Sequence, residues 1–146
     1  YDKAHVLAGD IFRDTGNFGK AYQLYENAAK VGKAASSYVK MADMLVRLKE
    51  YSKANAILEQ LIKAQPSYYP IYKVKCRMAL QDGNMKEAGE YLARMSEIND
   101  DSELYVLRCL YYRGINDPEK ADLMLDGALK VDSGNIEALK LKQKKN

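Results

Sequence analysis

An all-α array of repeated helix pairs is the fold class this sequence predicts, and three observations carry the prediction. A six-residue pattern recurs with a period of about 34 residues: Gly16-Asn17-Phe18-Gly19-Lys20-Ala21, Lys49-Glu50-Tyr51-Ser52-Lys53-Ala54, Gly83-Asn84-Met85-Lys86-Glu87-Ala88 and Asn116-Asp117-Pro118-Glu119-Lys120-Ala121. Apolar residues between the copies recur at helical spacing. Turn-forming residues sit within each copy. A fixed period in this range means small helical units, each burying its face against the next, rather than a closed globule around one cleft.

The elements follow in order. In the first unit Ala4, Leu7, Ala8, Ile11 and Phe12 mark one helix, and Phe18, Ala21, Tyr22, Leu24, Tyr25, Ala28 and Ala29 mark its partner, with Asp14-Thr15-Gly16-Asn17 as the turn. The second unit carries Tyr38, Met41, Ala42 and Leu45, then Tyr51, Ala54, Ile57, Leu58, Leu61 and Ile62. Its turn, Leu48 to Tyr51, lacks glycine, and Gln65-Pro66 closes the unit because proline cannot continue a helix interior. The third unit opens near Ser67, tolerates Pro70 in its first turn, and carries Tyr72, Cys76 and Ala79. It then turns at Asp82-Gly83-Asn84 and resumes with Ala88, Leu92, Met95 and Ile98.

The fourth unit carries Tyr105, Cys109 and Tyr112, turns at Gly114 to Asp117, and restarts at Pro118 behind the N-cap Asp117. Ala121, Leu125, Ala128 and Val131 follow, and one residue is missing relative to a strict period, placed in the acidic loop Asn99 to Ser102. A final helix from about Ile136 is expected to cover the open end with Ile136 and Leu139, leaving Lys140, Lys142, Lys144 and Lys145 in water. The segment Tyr1 to Ala8 shows no comparable cap, which predicts that the chain continues upstream. The whole reads as one domain, with repeats at about 2–35, 36–68, 69–101 and 102–134 and a capping helix at about 135–146.

Composition narrows the function classes. The chain has 146 residues, 47% of them hydrophobic and only three of them proline, so it can bury a core. A net charge of +3 gives no concentrated basic face, so no nucleic-acid partner is expected. No apolar run of about 18 residues exists, so no membrane insertion is expected, and with no leader visible a cytoplasmic location is. The two cysteines lack zinc-site spacing and are expected to be free, buried thiols. His5 is the single histidine and has no nucleophile or carboxylate cluster at fixed spacing, and no phosphate loop, HExxH or GxSxG occurs. The expectation is a protein that is not an enzyme, with no catalytic residue, no cofactor and no metal.

At equivalent positions the first helices hold His5, Tyr38, Tyr72 and Tyr105, and four residues later Gly9, Ala42, Cys76 and Cys109. The second helices hold Ala21, Ala54, Ala88 and Ala121, then Tyr25, Leu58, Leu92 and Leu125, then Ala28, Leu61, Met95 and Ala128. With Pro66 closing one unit, these positions resemble the tetratricopeptide-repeat family over about residues 2–133. The resemblance implies a right-handed superhelix of antiparallel helix pairs whose first helices line a concave groove. It also implies a protein-interaction scaffold, a piece of a larger assembly subunit or a co-chaperone-like protein. The two-carboxylate clamp used by some members is absent, since Val6, Asp10, Lys40, Pro70 and Val74 stand at its positions.

The predicted groove residues are Val6, Asp10, Arg13, Val39, Lys40, Asp43, Arg47, Lys73, Arg77, Val106, Leu110 and Arg113. Such a mixed lining suits a protein or peptide ligand with acidic and apolar groups, within a possible multi-subunit complex. Lys73 and Arg77 are read as its most basic stretch, and their charge reversal as its test. Two other readings remain open: a purely architectural segment that packs on further repeats or on itself, and a regulatory arm of an enzyme whose catalytic domain lies elsewhere. Tyr68, Tyr69, Tyr111 and Tyr112 are less fully explained by packing, and one of each pair is a contact candidate.

Overall fold

A computed structural model describes residues 2–144. Among them the helices are α1 (Asp2–Asp14), α2 (Phe18–Gly32), α3 (Ala35–Arg47), α4 (Tyr51–Ala64), α5 (Tyr69–Gln81), α6 (Met85–Arg94), α7 (Ser102–Gly114), α8 (Pro118–Val131) and α9 (Ile136–Gln143). No strand occurs among the described residues, and no helix there is long and apolar enough to cross a membrane. Lys145, expected in water, and Tyr1, expected in the uncapped first segment, lie outside the described residues.

Each pair is joined by the same turn. The N–H groups of Asn17, Glu50, Asn84 and Asp117 donate to the carbonyls of Phe12, Leu45, Ala79 and Tyr112 at 2.8, 2.8, 2.9 and 2.8 Å. These bonds close a Schellman turn, which requires a left-handed residue one position earlier. Gly16 (φ 85°) and Gly83 (φ 77°) take that conformation freely, while Lys49 (φ 64°) and Asn116 (φ 66°) take it against their Cβ. The glycine-free turn of the second unit therefore has the geometry of its neighbours. Lys49→Gly is expected to raise stability by about 1 kcal/mol, by removing the left-handed cost of a non-glycine residue. A denaturant midpoint that does not rise would show that Lys49 is unstrained.

The same turns start the second helices. The side chains of Asn17, Asn84 and Asp117 accept from the N–H groups of Lys20, Glu87 and Lys120, whereas Glu50 makes no side-chain cap. In the third unit α6 has 10 residues against 14 in α8.

The chain forms two compact units, Tyr1–Val74 and Lys75–Asn146. In the first, α1 packs on α2, α2 on α3, and α3 on α4. Its core holds Ala21, Tyr25, Ala29, Met41 and Met44, with Val6, Phe12, Phe18, Tyr22, Tyr38 and Ile57 packed around them. In the second, α7 packs on α8 and α8 on α9. Its core holds Val106, Cys109, Ala121, Leu125, Ala128 and Ala138. All four repeat alanines are buried, as are Gly9, Ala42, Cys76 and Cys109, because closely approaching helices leave no room for larger side chains there.

The C-terminal helix covers the second unit with a different face from the one its sequence suggests. Ile136 and Leu139 are 40% and 41% exposed, and Ala138 and Leu141 make the packing contact instead. Polar anchors turn the helix to this face. Asn135 caps it through the Ala138 N–H (3.0 Å) and donates to the Ser102 hydroxyl (2.8 Å), which donates to the Ala128 carbonyl (2.8 Å).

Candidate functional site

In the first unit, the first helices α1 and α3 bring their charges together. The Asp10 carboxylate accepts from the Tyr25 hydroxyl, from Lys40 Nζ at 2.9 Å and from Arg13 Nη1 at 3.3 Å. Arg13 also pairs with Asp14 at 3.1 Å, and Lys40 stands 5.4 Å from the centre of the Tyr25 ring. Burial alone would raise the Asp10 pKa. The hydrogen bonds from Tyr25 and Lys40, and the charges of Lys40 and Arg13, outweigh it and hold the carboxyl below its ordinary value. Burial, and then the carboxylate beside it, push the Tyr25 hydroxyl well up, so it stays a donor. On α3, Asp43 and Arg47 pair at 3.4 Å, and the Arg47 guanidinium lies 5.4 Å from the Phe18 ring centre.

These charges are neither lost in the core nor loose in water. Asp10, Arg13 and Lys40 keep 28%, 29% and 32% of their side-chain surface, and the Asp43–Arg47 pair about half as much. Val6 is half-buried against the core. Lys73 stands 5.5 Å from the ring centre of Tyr69, which is the exposed member of its tyrosine pair. In the other pair, Tyr111 and Tyr112 meet edge to face and both are half-buried.

Three expected groove residues are corrected by burial. Val39 is buried, and Val106 is fully buried in the core of the second unit with Cys109 and Leu125. Both valines are packing residues. Arg77 is 5% exposed, and its two terminal nitrogens each meet a Glu137 carboxylate oxygen at 2.8 Å. It is a paired interior cation, so reversing its charge would test folding before binding. Leu110 is half-buried against the same core as Val106, and Arg113 donates to the Leu141 carbonyl at 3.1 Å.

Sequence reasoning missed Glu137 and the Tyr25 hydroxyl. Glu137 lies 60 residues from Arg77, beyond any local spacing rule; only its place in the first turn of the last helix is visible in the sequence. Arg108 was missed as well. It donates to the carbonyls of Met95 (3.0 Å) and Ile98 (2.8 Å), tying down the segment after the short α6. Cys76 and Cys109 are free and buried. Burial pushes the Cys76 thiol up to about 12 and raises that of Cys109, so neither is poised as a nucleophile.

Tandem antiparallel helix pairs with buried small residues at fixed positions define the tetratricopeptide-repeat class of α-solenoid, and solved structures agree. A thermophilic TPR protein of Thermus thermophilus superposes with a TM-score of 0.71 at 19% identity, over 91% of this chain and 75% of that one. A tetratricopeptide repeat protein of Parabacteroides merdae gives 0.77 at 18% identity, over 99% of this chain and 57% of its own length. YrrB, described as a TPR protein with an unusual peptide-binding site, gives 0.58 at 19% identity, over 97% of this chain and 74% of that one. The chain belongs to the TT21 fifth ARM repeats domain family, whose profile matches residues 34–135. No curated protein matches it.

Proposed function

We propose that this protein is an interaction module that binds a peptide or partner subunit through the inner faces of its first helices. The observation that carries the reading is the charged strip of the first unit: Asp10, Arg13 and Lys40, with Asp43 and Arg47 beside them. Interlocking ion pairs hold these side chains in place while leaving each partly open to solvent. A surface whose charges are already ordered loses little entropy on binding and selects by charge pattern. The mixed signs suit a ligand that carries both an acidic group and a basic or apolar one. The description of YrrB as a TPR protein with a peptide-binding site supports this reading.

The test is a peptide library panned on the chain, with the selected peptides titrated against an Arg13→Gln/Lys40→Gln variant. A loss of about tenfold in affinity, or roughly 1.4 kcal/mol, is expected, with the fold retained. Affinities unchanged in the folded variant would remove the strip from the binding surface.

One observation favours the architectural reading as a second possibility. Leu7 and Ile11 on α1 are 65% and 60% exposed, and Ala4 beside them is exposed. Among the repeat equivalents of these three, Ser37 and Met44 on α3 and Leu104 and Leu107 on α7 are buried. The preceding second helices, α2 and α6, pack on α3 and α7. The exposed apolar residues of α1 therefore have the composition of a surface that receives another helix. Concentration-dependent light scattering that disappears in Leu7→Glu/Ile11→Glu would support self-association through it. A monomer at all concentrations would exclude that form of the reading.

A further inference from the structure

The second unit holds a carboxylate in a prepared seat, and the carboxylate comes from the chain's own last helix. Arg77 is almost wholly buried and offers both ends of its guanidinium fork to Glu137, at 2.8 Å each. A planar fork of this kind recognises a carboxylate by geometry as well as charge. The helix that supplies the carboxylate is short and contributes little to the core. It has eight residues, too few to be stable alone, and buries only Ala138 fully. Its other anchors include the packing of Leu141, the Arg113 bond to the Leu141 carbonyl and the Asn135–Ser102 bond. Ile136 and Leu139 stay exposed.

We propose that the Arg77 seat is a docking site for an acidic helical segment of a partner protein, and that α9 is its resident occupant, displaced when the partner binds. The inference rests on the reading that the inner faces of the first helices bind a partner, and it specifies the ligand chemistry for the second unit. The pattern is written in α9 itself. An asparagine caps the helix, a glutamate two residues later meets Arg77, an alanine follows it, and a leucine three residues further packs on Ala128 and its neighbours. Arg77 favours a carboxylate over any neutral replacement. The short Asp132–Asn135 link keeps α9 at a high local concentration, in the millimolar range for such linkers. A competing segment therefore binds weakly until α9 is loosened.

The experiment uses the full chain and a labelled peptide with the sequence of residues 134–144, followed by fluorescence anisotropy, with hydrogen exchange of the α9 amides in parallel. In Glu137→Ala, exchange in α9 is expected to rise at least tenfold and peptide affinity to rise at least tenfold over the native chain. A peptide with glutamine in place of its glutamate is expected to bind at least tenfold more weakly. Glu137→Gln, which keeps the side-chain shape, serves as the second variant should Glu137→Ala lose the fold of α8. Exchange that rises with no gain in peptide binding would show that Arg77 anchors only its own helix, and would overturn the proposal. Unchanged exchange would overturn it too, by showing that the ion pair does not hold α9. Either failure leaves the Arg13/Lys40 library test intact, and failure of that test leaves the peptide result at Arg77 standing.

Discussion

Replacing Tyr25 by alanine is expected to cost about 4 kcal/mol of folding stability, the range for deleting a large aromatic side chain from a packed core. Tyr25 is fully buried at the centre of the first unit's cluster. Its ring lies so close to Gly9 that a Cβ there would stand 2.6 Å from a ring carbon, and its hydroxyl bonds Asp10. Ring, glycine and carboxylate thus fix α2 against α1 together. Tyr25→Phe separates the contributions: it keeps the ring, removes a bond to a charged acceptor, and should cost about 2 kcal/mol. The acid limb adds a sign. The Asp10 carboxyl is held below its ordinary 3.8, so its contribution is complete above that value and is lost as pH falls through the lowered one. Tyr25→Phe should therefore show a shallower loss of stability in acid. Urea titrations at neutral pH and near pH 3 decide both points; a Tyr25→Phe protein as stable as the native one at neutral pH would refute the hydroxyl's role.

The second large effect is expected at Arg77→Glu, a loss of about 3–5 kcal/mol, because a buried cation is exchanged for an anion facing Glu137. The control is the double replacement Arg77→Met/Glu137→Met, expected to stay within about 1 kcal/mol of the native protein, since an ion pair whose cation is desolvated gains little over an apolar pair of similar volume. The contrast separates an interaction that stabilises from one that specifies where α9 lies. Equal losses in the single and double variants would mean that Arg77 supports the unit through contacts other than Glu137.

The helices and their order were legible because they depend on local rules. Period, turn residues and capping residues are all written within a few positions of one another, as in Asp117-Pro118, where the side chain caps the Lys120 N–H and proline opens α8. Even the turn at Lys49, unmarked by glycine, was placed correctly by the period of its neighbours. The site was only partly legible. Helical spacing puts Asp10, Arg13 and Lys40 on first helices, but it does not say that they bond one another across two helices. The same spacing put Val39, Val106 and Arg77 on the groove face, because a fixed offset along a helix ignores how far the neighbouring helix covers each position. Glu137 was invisible for a simpler reason: it sits on α9 and its partner on α5, with three whole helices between them along the chain.

The four matching turns carry an evolutionary consequence. Each contains the stop signal of one helix, in its left-handed residue, and three of them also contain the side-chain cap that starts the next, in Asn17, Asn84 or Asp117. A block cut between two such turns therefore brings its own punctuation, and inserting or removing it creates no unfinished helix end. Whole blocks can therefore be added or removed with little cost at the junctions, while a change of one or two residues inside a turn would break the register of both helices it joins.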